Sequence, residues 1–252
     1  MNDAYLLSLL VKKAEDIVAL SEKHFCLKHT GFLSPAEAAA IREKHIFGRE
    51  SRQEFFGGYD DAERVMFISY PDYYESCPET DFISVLLITG RDIASLSHRD
   101  YLGSILGLGI KREKIGDILV ESDKTYVFVS ADIAKFIADN LTKIGRRGVS
   151  VLIRNAGEIT APEKKTANLS GTVQSVRLDS VLSVALKTSR TKVLKLIESE
   201  NVQVNWKVIS DASFKMKEDD VFSVRGFGRF KLSLINGTTK KGRISITVQK
   251  YL

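Results

Sequence analysis

The stretch Arg177 to Ile209, RLDSVLSVALKTSRTKVLKLIESENVQVNWKVI, constrains the fold more than any other part of the chain. Its apolar residues recur at helical spacing in RLDSVLSVALKT and again in SRTKVLKLIESE, then alternate in VQVNWKVI. That change of period predicts two short helices followed by short strands. Ser189 precedes the second helix, where a hydroxyl caps and the first-turn amides carry partial positive charge that suits a phosphate. Arg190 lies in the same first turn. Lys192 and Lys195 are three residues apart and share one helix face, whereas Val193, Leu196 and Ile197 cover another and belong to a core. The VNWK turn offers Asn205 and Lys207. Trp206 is placed either to stack on a base or ribose or to lid the small core. Asp179 reads as a helix cap or as an internal partner for Arg177.

Bulk properties narrow the class. With 252 residues there is room for two or three domains of about 100 residues each. A hydrophobic share of 44% and a charged share of 27% are those of a globular chain, and four prolines with no low-complexity tract argue against long disordered linkers. Cys26 and Cys77 are too few for a disulfide framework, which points to a reducing, cytoplasmic setting. MNDAYLLSLLVKK has an acid before a short apolar run and no basic leader, so it reads as a helix start rather than a signal peptide. No stretch approaches the roughly 18 apolar residues of a membrane span, and no membrane partner is expected. Charge is uneven: Ser170–Leu252 holds 15 Lys and Arg against 7 Asp and Glu, while Met1–Leu169 holds 22 against 25. A basic last third attached to a near-neutral body is the footprint of a nucleic-acid module or of a solvated basic surface.

The expected fold class is α+β in three parts. Residues 1–78 form a helical N-terminal domain. Leu6, Leu9, Leu10, Lys13, Ile17 and Leu20 mark the first helix; Ser34, Pro35 and Glu37 open a second. FFGGYDDAER turns on Gly57-Gly58, with Asp60 and Glu63 spaced as a capping box. Residues 79–165 read as strand DFISVLLIT, a helix opened by Ser97 and Asp100, strands at Ile115–Val120 and Thr125–Val129 joined by ESDK, helix ADIAKFIADNLTKIG, and strand GVSVLIR. That β-α-β-β-α-β order is the ferredoxin-like arrangement shared by RNA-recognition motifs (RRM-like). Residues 157–171 read as a linker. Residues 170–252 form the last domain, with a turn at Asn236-Gly237.

Arg177-Leu178-Asp179, Ser189-Arg190, Leu196-Ile197 and Val202-x-Val204-Asn205 together resemble the RNA-binding domain named after ribosomal protein S-four (alpha-L type), although Val193 stands where that family has alanine and Glu200 where it has glycine. LSHRDYLGSILGLGIKREKIGDILV, FFGGYDDAER, SVRGFGRF and TTKKGR extend the likeness from about residue 30 to the end, and on them the chain is identified as a member of the YlmH family of bacterial S-four proteins. The resemblance implies a cytoplasmic RNA-binding protein that associates with the large ribosomal subunit, rRNA and tRNA. It further implies rescue of peptidyl-tRNA left after stalling, in ribosome quality control, with a contextual link to cell division. The chain is expected to be a monomer, without cofactor or metal, and not an enzyme.

The RNA-contact residues expected in the S-four domain are Arg177, Ser189, Arg190, Lys192, Lys195, Asn205, Trp206, Lys207, Arg225, Arg229, Lys231, Lys240, Lys241 and Arg243. A second contact is expected at His98, Arg99, Lys111, Arg112 and Lys114. VRGFGRFKL nearly matches an RNA-recognition signature, but the segment that reads as that fold is 79–155, and no helix follows Gly228 to make a phosphate loop. It reads as strand–bulge–strand, with Phe230 and Leu232 inward, Arg225, Arg229 and Lys231 on one face as a basic rim beside the second helix, and Phe227 a minor stacking candidate.

Rival readings are weaker. His98-Arg99-Asp100 copies a kinase H-R-D, but Ile105 stands where asparagine is needed and no D-F-G follows. R-L-D also occurs in pseudouridine synthases, but no T-S-G follows here. His24, Cys26 and His29 lack helical metal spacing and a fourth ligand. Tyr126 and Phe128 share the strand face where an RNA-recognition sheet stacks bases, or else face a core. The functional alternatives are an RNA-modifying enzyme with its site around His98–Asp100 and a division-linked scaffold.

Overall fold

A computed structural model describes residues 3–77, 82–156, 159, 166–238 and 242–251. The chain divides into two compact units, Met1–Pro162 and Glu163–Leu252. No helix among the described residues is long and apolar enough to cross a membrane.

The first unit opens with α1 (Asp3–His24), β1 (Lys28–His29), α2 (Pro35–Glu43), β2 (Ser51–Phe56) and β3 (Met66–Pro71). The N-terminal segment is therefore not all helical: two helices cover an antiparallel sheet of order β1-β3-β2. The apolar run VMFISYP hides its strand because both faces are buried, so no alternation shows. Val65 and Phe67 pack with α1 and α2 through Val11, Ala14, Ile17, Ala38 and Ile41. Met66, Ile68 and Tyr70 point the other way. The helical stripe also differs from expectation, since Leu6, Leu9 and Leu20 are exposed while Val11, Ala14, Ile17, Val18 and Ser21 are buried. The capping box of α2 forms as expected: Ser34 Oγ accepts from Glu37 N, and Glu37 Oε2 accepts from Ser34 N at 2.6 Å.

The unit continues with β4 (Ile83–Gly90), α3 (His98–Gly107), β5 (Ile115–Val120), β6 (Lys124–Ser130), α4 (Ala131–Asn140), β7 (Lys143–Ile144) and β8 (Arg147–Asn155). The sheet runs β5-β6-β4-β8-β7, antiparallel throughout, with β4 central as its apolar sequence predicts. One face, with Leu86, Ile88, Val127 and Val129, packs against Tyr101 and Ile105 of α3 and Ala134 and Ile137 of α4. The other face, with Val85 and Phe128, packs against Phe32, Met66 and Ile68. The layers are thus helices, sheet, sheet, helices, and Phe128 is fully buried between the sheets. Gly58, at φ +100°, makes that approach possible: a Cβ there would lie 2.4 Å from Phe128 Cδ1.

The turn before β3 is held from a distance. Asp117 Oδ2 accepts from Glu63 N and from the Tyr59 hydroxyl, each at 2.7 Å, and Asp117 Oδ1 accepts from Arg64 N at 3.1 Å. Burial, then the Asp117 charge, pushes the Tyr59 phenol far up. Arg64 donates to the carbonyls of Phe32 and Ile115, and burial followed by nearby Arg112 brings its guanidinium down to about 10.

The second unit comprises β9 (Thr166–Val173), α5 (Leu178–Ala185), α6 (Arg190–Glu198), β10 (Val202–Val204), β11 (Lys207–Val208), β12 (Val221–Val224), β13 (Gly228–Thr238) and β14 (Ile244–Tyr251). Its antiparallel sheet runs β11-β10-β12-β13-β14-β9. Residues 166–171, read as linker, are strand: β9 pairs with β14 along its length, placing Leu169, Gly171 and Val173 opposite Val248, Ile246 and Ile244. Gly171 interrupts the apolar alternation because α5 packs there, where a Cβ would lie 2.7 Å from Val184 Cγ1. Nor does the chain turn at Asn236-Gly237. β13 runs through both, with an irregular ladder between Ile235 and Thr238. Leu178, Val181, Leu182, Val193 and Ile197 of the helices bury against Phe222, Phe230, Leu232, Ile246 and Val248.

Candidate RNA-binding surface

The polar centre of the second unit lies where α5 begins. Backbone bonds from Leu178 N to Phe214 O and from Asp179 N to Ala212 O tie this start to the 211–216 loop. Asp179 is buried, at 7% exposure. Its Oδ1 faces Arg177 Nε at 3.3 Å and accepts from Ser180 N at 2.8 Å and from Ser180 Oγ at 3.3 Å. Arg190 Nη2 then donates to Ser180 Oγ at 3.0 Å. One buried carboxylate therefore lies between two guanidinium groups: Arg177, at the cap position of α5, faces it as an ion pair without hydrogen-bond geometry, and Arg190 of α6 reaches it through Ser180. The Arg190–Ser180 bond is charge-assisted on the donor side and fixes the plane of that guanidinium, a cation suited to phosphate.

Ser189 sits at the cap position of α6 with extended backbone, but its hydroxyl makes no capping bond; its carbonyl accepts from Lys192 N and Val193 N. Ser189, Arg190, Lys192 and Lys195 are all exposed, while Val193 and Ile197 are buried on the opposite side of the helix. Cationic head groups thus line the outer face of α6.

Asn205 and Trp206 form the two-residue turn between β10 and β11, both left-handed, at φ +46° and +63°. Asn205 is engaged internally: Nδ2 donates to Asp220 Oδ1 at 2.8 Å, and Oδ1 accepts from Val221 N at 3.0 Å. It therefore presents Trp206, which is half-buried, and Lys207, which is exposed. Glu200 takes the left-handed φ of +55° that the glycine of the motif would hold.

VRGFGRFKL is a chain reversal rather than a bulged strand. Val224 pairs with Gly228, leaving Arg225-Gly226-Phe227 as a three-residue loop, with Gly226 and Gly228 at φ +84° and +105°. Arg225 is exposed beside the end of α6, its N–H bonded to Asn201 O, and Phe227 is exposed too. Phe230 and Leu232 are buried as expected. Arg229 and Lys231 consequently lie on the sheet face away from the helices, not beside α6, and Lys231 pairs with Asp219 at 2.8 Å. Arg243 is distant in the sheet order, on the β14 side, donating to Thr172 O at 2.7 Å. Lys240 and Lys241 lie outside the described residues.

Lys215 stands directly opposite Arg177 across an isolated bridge. The two, with Ser175, Val176, Ser213 and Met216, line a cleft of about 400 Å³. Nothing in the sequence links position 177 to 215, because the pairing spans the whole helical pair. The neighbouring Asp211 carboxylate is held below its usual range by the Ser213 hydroxyl and then the Ser213 N–H.

In the first unit, His98 and Arg99 occupy the exposed first turn of α3, and burial followed by Arg112 lowers the His98 imidazole. Asp100 is a capping acid: Oδ2 accepts from Ser97 N and from Ser97 Oγ, each at 2.7 Å. Lys111 is exposed. Arg112 donates to the Ile115 and Gly116 carbonyls, and Lys114 pairs with Asp132 at 2.6 Å. Tyr126 and Phe128 belong to the cluster between the two sheets rather than to an open face.

Residues 176–222 match the S4 domain, and residues 79–158 match the family model described as "Putative RNA-binding domain in YlmH". The Bacillus subtilis (strain 168) protein named "Ribosome-associated protein quality control protein P2" is 35% identical over 232 residues, spanning 91% of this chain and 89% of that protein. The chain belongs to the YlmH family. Like other YlmH proteins it carries RNA-binding domains, the S-four domain last. A solved structure titled "Cell division protein ylmH from Streptococcus pneumoniae" is 22% identical, covers 60% of this chain and 92% of that one, and superposes with a TM-score of 0.50, a likeness of fold.

Proposed function

We infer that this YlmH protein is a non-enzymatic, cytoplasmic, monomeric binder of structured RNA that acts at the ribosome. Its targets are rRNA and tRNA on the large subunit, where it holds the peptidyl-tRNA-bearing particle left after stalling. The observation that carries this reading is the coupling of Arg177 and Arg190 through buried Asp179 and Ser180, beside the exposed lysines of α6. Fixed guanidinium groups next to a helix N-terminus suit backbone phosphate. The name of the Bacillus subtilis relative supports the ribosomal setting. Three functional parts follow the sequence divisions 1–78, 79–165 and 170–252. The sheet order β5-β6-β4-β8 supports a ferredoxin-like, RRM-like middle part. An active site around His98–Asp100 is disfavoured because the Asp100 carboxylate is taken up by Ser97.

The test is sedimentation with purified large subunits. Arg190→Ala with Lys192→Ala should abolish co-sedimentation at moderate salt while far-UV circular dichroism stays that of the wild type. A folded double variant that still travels with the subunit would sink the assignment.

A further inference from the structure

The middle part of the first unit cannot use the surface through which a four-stranded RNA-recognition sheet stacks bases. Val85 and Phe128 on that face are fully buried against Phe32, Met66 and Ile68. RNA contact by this part requires another surface, and the end of the sheet where β4 leaves and β8 begins offers one.

Gly90, the last residue of β4, pairs with Val149, and a Cβ on Gly90 would lie 2.6 Å from Gly148 O. Arg91 therefore emerges beside the β7–β8 hairpin. That hairpin turns in two residues, Gly145-Arg146, between paired Ile144 and Arg147. Ile144 is buried in the core with Tyr101, which anchors the hairpin and leaves Lys143, Arg146 and Arg147 at its tip. Arg99 of α3 joins them: Asp100, lowered chiefly by Ser97, is lowered further by both Arg147 and Arg99. Arg91, Arg99, Lys143 and Arg146 are exposed and Arg147 is half-buried. None of the five makes a side-chain hydrogen bond or close ion pair with a described residue, in contrast to Arg112 and Lys114. Asp92 and Asp100 are the nearby acids, and Asp100 is occupied by its cap.

We propose that the tip of the β7–β8 hairpin, with Arg91 and Arg99 beside it, is a second RNA-binding surface that grips backbone phosphates rather than bases. Four of the five cations are arginine, whose fork matches phosphate oxygens. The tip has no exposed apolar anchor of the sort that dominates a protein interface, which favours RNA over an acidic protein. The inference rests on the reading of the chain as an RNA binder and adds a contact site to it.

The experiment is filter binding of the full chain to protein-free large-subunit ribosomal RNA over a salt series. Three phosphate contacts contribute about 2–3 to the slope of log affinity against log salt. Lys143→Ala/Arg146→Ala/Arg147→Ala should weaken binding at least roughly tenfold at moderate salt and flatten that slope by about 2. A charge-keeping Arg146→Lys/Arg147→Lys variant should retain the slope, which a merely structural role of the hairpin would not produce. If the triple variant binds as the wild type does while Arg190→Ala/Lys192→Ala loses binding, this inference fails alone and the surface falls to an acidic protein partner. If both variants bind as the wild type does, the RNA-binding reading fails with it.

Discussion

Replacing Gly58 by alanine tests the seal between the two sheets of the first unit. Two separate penalties apply. Gly58 lies at φ +100°, a region closed to side chains, and holding alanine there costs about 1–3 kcal/mol. The new methyl would lie 2.4 Å from Phe128 Cδ1 and 3.2 Å from Ile83 Cγ2, and overpacking a closed core costs about 1–3 kcal/mol more. Phe128 cannot yield by swinging outward, because it is fully buried with the tilted Tyr59 ring 4.8 Å away. A total of about 4 kcal/mol is a large part of the stability of a domain and should lower the melting temperature by roughly 10 °C. Gly109→Ala is the control: it has a similar φ of +84° but nothing within 4 Å of a new Cβ, so it carries the backbone penalty of about 1 kcal/mol alone. Circular dichroism reports both units, whereas the single tryptophan, Trp206, reports the second. Gly58→Ala should move the circular dichroism transition and leave the Trp206 fluorescence transition in place. Equal melting of Gly58→Ala and Gly109→Ala would refute the tight contact with Phe128, and with it the closed sheet face.

Two further outcomes follow from single side chains. Asn205→Ala removes both bonds to the 220–221 segment and leaves alanine in a left-handed turn, so the urea midpoint read by Trp206 should fall by an amount equivalent to about 1–2 kcal/mol. Asn205→Gly, free of the backbone strain, should lie between alanine and wild type, and an unchanged alanine midpoint would contradict the internal role. Glu22 accepts from the N–H groups of Glu50 and Arg49 and from the Ser51 hydroxyl, and the Glu50 N–H chiefly holds its carboxyl below the ordinary 4.5. A lowered folded value gives stability that is complete above the unfolded pKa and lost as pH falls through the folded one. Glu22→Gln should therefore make the melting temperature fall less steeply as pH drops below the ordinary carboxylate value of 4.5, and a variant as acid-sensitive as the wild type would contradict this.

How much of this was legible depended on sequence distance. The Ser34/Glu37 and Ser97/Asp100 caps are three-residue patterns, and both form. Most elements of residues 83–155 show because α3 and α4 each bury one face and β4 is an apolar run long enough to read as central; the helix read through Gly145 instead ends at Asn140, and Lys143–Ile144 is strand. The β2–β3 hairpin was missed for the opposite reason: burial on both faces of β3 erases the period, and β1 has only two residues. β9 was missed because Gly171 replaces an apolar side chain where α5 approaches. In the candidate site, Arg190, Lys192 and Lys195 were legible from helix spacing. The Asp179–Ser180 link between Arg177 and Arg190, and Lys215 opposite Arg177, depend on contacts between elements that no local pattern encodes.

The closed middle sheet bears on how RNA would be read. Phosphate contacts position a protein but carry no base identity, whereas base-edge bonds do. A βαββαβ part whose stacking face is buried retains only its cationic tip and loops, so on the proposed reading it supplies grip and register. Base contact would then fall to the S-four unit, where half-buried Trp206 sits on a two-residue turn fixed by Asn205 and Phe227 is exposed on the neighbouring hairpin. Aromatic stacking tolerates any base. Each cationic surface then adds its own phosphate contacts to the salt-dependent part of the affinity, without a sequence-reading element.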